Sequence, residues 1–145
     1  MKQKMVNESS ISKRLIEAYR STNYVVETEP AFTLRVGKHS EELTNLYTAT
    51  GVDTACFITA YNPFSVLLTT PHNVARQAEL LNDLAELKLK FVFGYGQSDA
   101  SDWREASVLI LGVSYGESMK LAVEHEQNAF IWCGKEATPA MVLTR

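Results

Sequence analysis

At 145 residues, 46% apolar and 21% charged, the chain has the size and composition of one globular domain able to bury a core. Fourteen basic residues against 17 acidic ones give a formal charge of −3, which offers no broad cationic field to phosphate backbones or anionic lipid, so nucleic acid and membrane surfaces are not expected partners. The polar start Met1 to Ser10 lacks the apolar stretch of a signal peptide, and the longest strongly apolar run, Val108 to Leu111, is too short to span a bilayer, so a cytoplasmic location is expected.

After a polar tail over 1–8 expected to be disordered, Ser9 or Ser10 is expected to cap a first helix, with Ile11, Leu15, Ala18 and Tyr19 on its buried face and an end near Thr22. Tyr24 to Val26 and Phe32 to Val36 read as a hairpin around Glu29-Pro30. Ser40 caps a second helix with Glu41 and Glu42 at its positive end, Leu43, Leu46 and Tyr47 inside, and Gly51 closing it. Thr54 to Ala60 is a strand. Thr70-Pro71 then opens a long helix to about Lys88, with Val74, Ala78, Leu81 and Ala85 as its expected core stripe. Strands Phe91 to Tyr95 and Ala106 to Val113 follow. Ser114 to Glu117 fits a capping box for a helix carrying Met119, Ala122 and Val123, and Ala129 to Cys133 and Met141 to Thr144 are the last strands.

This order predicts an α+β fold of one domain over residues 1–145. Its core is a ferredoxin-like split β-α-β unit over residues 54–133, with an N-terminal helix-hairpin-helix extension. Right-handed crossovers put the first strand of the unit beside the third, the fourth outside the first and the second outside the third. Val108 to Leu111 lacks the alternation of a half-exposed strand, so both its faces should be covered, one by the N-terminal helices.

In such a unit one sheet edge collects the ends of the first two strands and the starts of the other two, and the unusual residues fall there. They are Tyr61, Asn62 and Ser65 after the first strand, Asn73 and Arg76 in the helix that follows, Trp103 and Glu105 before the third strand, and Gln127 and Asn128 before the fourth. Each also has a purely structural use: Asn62-Pro63 as a turn, Trp103 as a cover for the core edge, Gln127-Asn128 as a helix end, Arg76 and Glu105 as an ion pair. Asp99, Asp102 and Glu105 fit no calcium loop, His39, His72 and His125 have no ligand spacing, and no metal or cofactor is implied. Cys56 and Cys133 read as buried free thiols. Gly94-Tyr95-Gly96 lacks the following helix of a phosphate loop, and the third strand lacks the aromatics of an RNA-recognition module.

The chain resembles the bacterial family of unknown function DUF3293 in several elements. They are 15–20 (Leu-Ile-Glu-Ala-Tyr-Arg), 57–63 (Phe-Ile-Thr-Ala-Tyr-Asn-Pro) with Ser65, 73–78 (Asn-Val-Ala-Arg-Gln-Ala), Trp103-Arg104-Glu105 before 109–112, and 127–132 (Gln-Asn-Ala-Phe-Ile-Trp). Tyr61 stands where tryptophan is common in that family. The resemblance runs from about Leu15 to Gly134 and implies no activity.

Three functional readings follow. The first is a small-ligand or nucleotide-like binding module for an anionic ligand, held by Arg76 and the adjacent helix start between Tyr61 and Trp103. The second is an enzyme with Glu105 as general acid or base. The third is an interaction domain pairing through exposed strand edges, at Met141 to Thr144 or the hairpin, as in a homodimer. If Arg76 serves a ligand, Arg76→Ala should cost only about half a kcal/mol.

Overall fold

The computed structural model describes residues 9–100 and 102–145; the tail over 1–8 expected from the sequence lies outside them, as does position 101. In chain order the elements are α1 (Lys13–Ser21), β1 (Asn23–Val26), β2 (Phe32–Leu34), α2 (Glu41–Thr50), β3 (Ala55–Ile58), a 3-10 turn (Pro63–Ser65) and α3 (Thr70–Glu86). Then come β4 (Lys90–Gln97), β5 (Arg104–Leu111), α4 (Tyr115–Glu124), β6 (Ala129–Cys133) and β7 (Pro139–Leu143). The seven strands form one sheet of order β2-β1-β4-β5-β3-β6-β7, antiparallel at every pairing. The fold is therefore α+β. No helix among the described residues is long and apolar enough to cross a membrane.

Local chemistry sets the helix boundaries, and two differ from expectation. The cap of α1 is Ser12, whose hydroxyl accepts from Leu15 N at 3.2 Å, while Ser9 Oγ accepts from Ile11 N and donates to the carbonyl of Arg145. Ile11 thus precedes the helix and packs in the core. The cap of α3 is Thr69, one residue earlier than expected, which puts Pro71 in the first turn, where its missing N–H costs nothing. Ser40 caps α2 and left-handed Gly51 closes it, while Ser114 caps α4 with Glu117 N donating to it at 3.1 Å.

The expected core stripe of α3 is also displaced. Val74 is 53% exposed, and the buried residues are Asn73, Gln77, Leu80 and Leu84. Two amides take the inner face because the chain leaving β3 needs partners: Gln77 Oε1 accepts from Ala60 N at 2.8 Å, and Asn73 Oδ1 accepts from Asn62 N at 2.8 Å. On α4 the buried residues are Ser118, Leu121 and Ala122, with Val123 turned outward.

Alternate residues of the strands feed two cores. Cys56, Ile58, Val108 and Ile110 pack against Leu80 and Leu84 of α3 and Leu121 of α4. Phe57, Leu109, Ile131 and Cys133 face the other way, against Ile16 of α1 and Leu43 and Tyr47 of α2. Both faces of β5 are covered, which explains its unbroken apolar run. The two thiols consequently point to opposite sides. Both are free and buried, and burial pushes that of Cys56 up to about 12. The sheet curls until the chain after β2 meets the start of β7, with Gly37 N donating to Pro139 O and Ser40 N to Ala137 O, each at 2.9 Å.

Candidate functional site

On the α1/α2 side the sheet is packed at one end and hollow at the other. A cavity of about 500 Å³ lies between α1 and the ends of β1, β3, β4, β5 and β6. The hollow follows from side-chain alternation. Gly96 of β4 faces it with no side chain, directly opposite Glu105 of β5, and Thr59 and Ser107 stand where larger apolar residues would close the core. Its walls are mainly apolar and aromatic, from Leu15, Tyr19, Tyr24, Phe57, Ile131 and Trp103.

Of the nine residues expected at the site, six line this cavity: Asn62, Ser65, Trp103, Glu105, Gln127 and Asn128. Glu105 lies within β5, because that strand and β4 each run two residues further than their hydrophobic patterns suggest. Tyr61, Asn73 and Arg76 stand behind the cavity wall. Tyr61 contributes its carbonyl, which accepts from Gln127 Nε2 at 3.0 Å. Asn73 is buried and holds Asn62 at both ends of its amide. The Arg76 guanidinium donates to Ala60 O at 3.0 Å and His125 O at 2.8 Å, and reaches Glu126 at 3.4 Å. It is a clamp between the chain leaving β3 and the α4–β6 connection; its carboxylate partner is Glu126, not Glu105.

The turn after β3 is backbone-strained. Asn62, Phe64 and Ser65 all have positive φ, at 46°, 53° and 62°, a conformation costly for a bulky residue such as phenylalanine and found where surrounding contacts over-determine it. Those contacts are Phe64 N donating to Glu126 O at 2.7 Å and the Arg145 guanidinium stacked 4.4 Å from the Phe64 ring centroid. The result delivers Ser65 Oγ to the hydroxyl of Tyr19, and Asn128 Nδ2 donates to both, at 3.1 Å to Tyr19 and 3.2 Å to Ser65. The left-handed residue after α4 is Glu126 rather than Asn128, which frees the Asn128 amide for this cluster.

Among the described residues Glu105 is the one carboxyl on the cavity, and no lysine, arginine or histidine lines it. Asn62 Nδ2 donates to its Oε2 at 2.9 Å, while Asn62 Oδ1 accepts from Leu68 N and Asn73 Nδ2. Loss of solvent raises the Glu105 pKa to about 7, and the Asn62 hydrogen bond opposes that only in part. The same burial raises the Tyr24 phenol, with the Tyr19 and Glu105 charges adding to it. A carboxyl poised at neutrality inside an apolar cavity can exchange a proton with a bound molecule or pair with a positive group on it. Among the described residues no three His, Cys, Asp or Glu side chains group as a metal site; Asp99 is instead engaged by Asn23 and Arg35.

Sequence reasoning missed Tyr19, Tyr24, Phe57 and Gly96, which build the walls and the space. The fold and cavity define an α+β protein with a mostly apolar chamber and, among the described residues, one half-buried acid. Residues 58–130 match the family described as Protein of unknown function (DUF3293), and the chain belongs to it. No curated protein and no solved structure matches the chain.

Proposed function

We propose that this protein is a small-molecule binding module whose ligand occupies the cavity under α1, with Glu105 as its polar anchor. The observation that carries this reading is a carboxyl in a chamber of about 500 Å³ whose other described lining residues are apolar, aromatic or uncharged polar. That volume suits a drug-sized ligand, and a few polar groups in an apolar cavity are the usual pattern of small-molecule sites. An anionic ligand was expected from Arg76 and the α3 start, but Arg76 is committed to main-chain carbonyls, so the anchor passes to Glu105. The strand order also supports reading residues 54–133 as a ferredoxin-like split β-α-β unit. Trp103, 42% exposed at the cavity, is a natural fluorescence reporter of occupancy. Screening small molecules by thermal unfolding and tryptophan emission on wild type and Gly96→Val tests the proposal. Binders should lose their effect on the filled variant; binders that act equally on both proteins refute it.

A second reading is favoured by the Glu105 pKa near neutrality, which suits general acid–base work. Turnover of a cavity ligand by wild type but not by Glu105→Gln distinguishes an enzyme from a receptor.

A further inference from the structure

We infer that the ligand class of this cavity is an organic cation: an ammonium, an amidinium or a protonated nitrogen heterocycle carried on an apolar or aromatic body. The inference rests on the binding reading above and adds the charge of the ligand. Its basis is an imbalance inside the chamber. A carboxylate taken out of water needs a positive partner or a full set of donors, and otherwise neutralises. Glu105 has one donor, Asn62 Nδ2 on Oε2, and Oε1 makes no hydrogen bond to any described residue.

Five arginines of the surrounding elements are engaged elsewhere. Arg20 pairs with Glu17 on α1, and Arg35 with Asp99 and Asn23. Arg76 is bound to carbonyls, and Arg104 lies 4.2 Å over the Tyr95 ring on the opposite face of the sheet. Arg145 donates to Asn128 Oδ1 and stacks on Phe64. Among the described residues, then, the cavity lining holds an acid and no base.

The walls fit the same ligand. Tyr19, Tyr24, Phe57 and Trp103 all border the chamber. Aromatic faces attract cations, more strongly where water is excluded, and buried cages that combine aromatic rings with one carboxylate select organic ammonium groups over neutral isosteres. The same walls repel a carboxylate or phosphate, which would meet Glu105 without a compensating cation.

The test is a fragment library of matched aryl-alkyl amines, alcohols and carboxylates, measured by NMR at about pH 8, where Glu105 is ionised. The readout is shifts of the backbone amides of Gly96, Glu105 and Asn128, with titrated affinities. Amines should bind about tenfold more tightly than the alcohols of the same shape, and carboxylates more weakly than either. In Glu105→Gln the amine advantage should vanish while the alcohols bind as before. Alcohols or carboxylates as tight as amines, or an amine advantage that survives in Glu105→Gln, overturn the cation class and leave the binding module standing. No shift at these amides from any member overturns both. Should Glu105→Gln fail to fold, the wild-type comparison of amines with alcohols decides alone.

Discussion

The α3/α4 face and the α1/α2 face of the sheet are made from alternate residues of the same strands, yet the first is sealed and the second is hollow at one end. On the sealed face Ile58, Val108 and Ile110 meet Leu80, Leu84 and Leu121, every one essentially without solvent contact. On the other face the pattern holds through Leu109 and Leu111 and then breaks towards the start of β5, where Ser107, Glu105 and the facing Gly96 occupy positions a core would give to leucine or valine. A cavity here is a property of two or three side chains at the end of an otherwise continuous core, so stability and site can be perturbed separately.

The largest effects should come from the shared middle of the sheet. Ile110→Ala on the sealed face and Leu109→Ala on the other should each cost about 2 to 5 kcal/mol in urea unfolding, since both side chains are fully buried. A loss below about 1 kcal/mol at Leu109 would mean that the α1/α2 face is loosely packed along its whole length.

Next in size are changes at the frame of the hollow end. Arg76→Ala strips two main-chain carbonyls of a charged donor and should cost about 1 to 3 kcal/mol, well above the half kcal/mol expected of a ligand contact. Measured by urea unfolding, a loss near that smaller figure would return Arg76 to the list of ligand-facing residues. Gly94→Ala should cost about 1 to 3 kcal/mol, because a Cβ there would sit 2.4 Å from Val25 O and 3.0 Å from Phe57 Cε2.

These residues also show what a sequence can carry. The succession of elements was legible from caps, turns and apolar runs, since each is a local signal with a local cause, and the handedness of crossovers then ordered the strands around β5. The inner face of α3 was not, because Asn73 and Gln77 are polar by composition and become core residues only by bonding the chain at Ala60 and Asn62. Loop residues such as Asn62, Trp103 and Gln127 stood out because polar and aromatic groups are conspicuous between elements. Tyr19, Tyr24 and Phe57 looked like ordinary core residues, and which side of the sheet would be empty depended on Gly96 standing opposite Glu105. Nor could sequence decide whether Arg76 would bind a ligand or two carbonyls, since its donors suit both.

A smaller, pH-dependent effect belongs to Glu105. Its folded pKa of about 7 lies above its ordinary value of 4.5, so between those limits the folded protein holds a proton that the unfolded chain has released. The contribution of Glu105 to stability is then fullest below about pH 4.5, falls as pH rises towards 7 by at most about 1.4 kcal/mol per unit, and levels off above. Glu105→Gln keeps an acceptor for Asn62 and removes the titration. It should match wild type near pH 4 and exceed it by about 1 to 3 kcal/mol near pH 8, followed by thermal unfolding across that range. Parallel pH profiles for the two proteins would show that Glu105 is solvated and ionised in the folded state.

The smallest stability effect is expected at Gly96, and it bears most directly on the contrast between the faces. Gly96 lies two residues along β4 from Gly94 and faces the same side, but a Cβ built on it meets only Thr22 Cγ2, at an ordinary 3.5 Å, and its backbone is not left-handed. Alanine or valine there enters open space. The unfolded chain loses glycine's extra freedom and the strand gains a residue suited to it, so stability should hold or rise by about 0.5 kcal/mol. Valine should nevertheless narrow the chamber against Glu105 and weaken any cavity ligand. A variant as stable as wild type that no longer binds would locate the ligand under α1 without any loss of fold. If Gly96→Val destabilised as much as Gly94→Ala, the space beside Glu105 would be closed in solution, and the hollow end of the sheet would be packed like the sealed one.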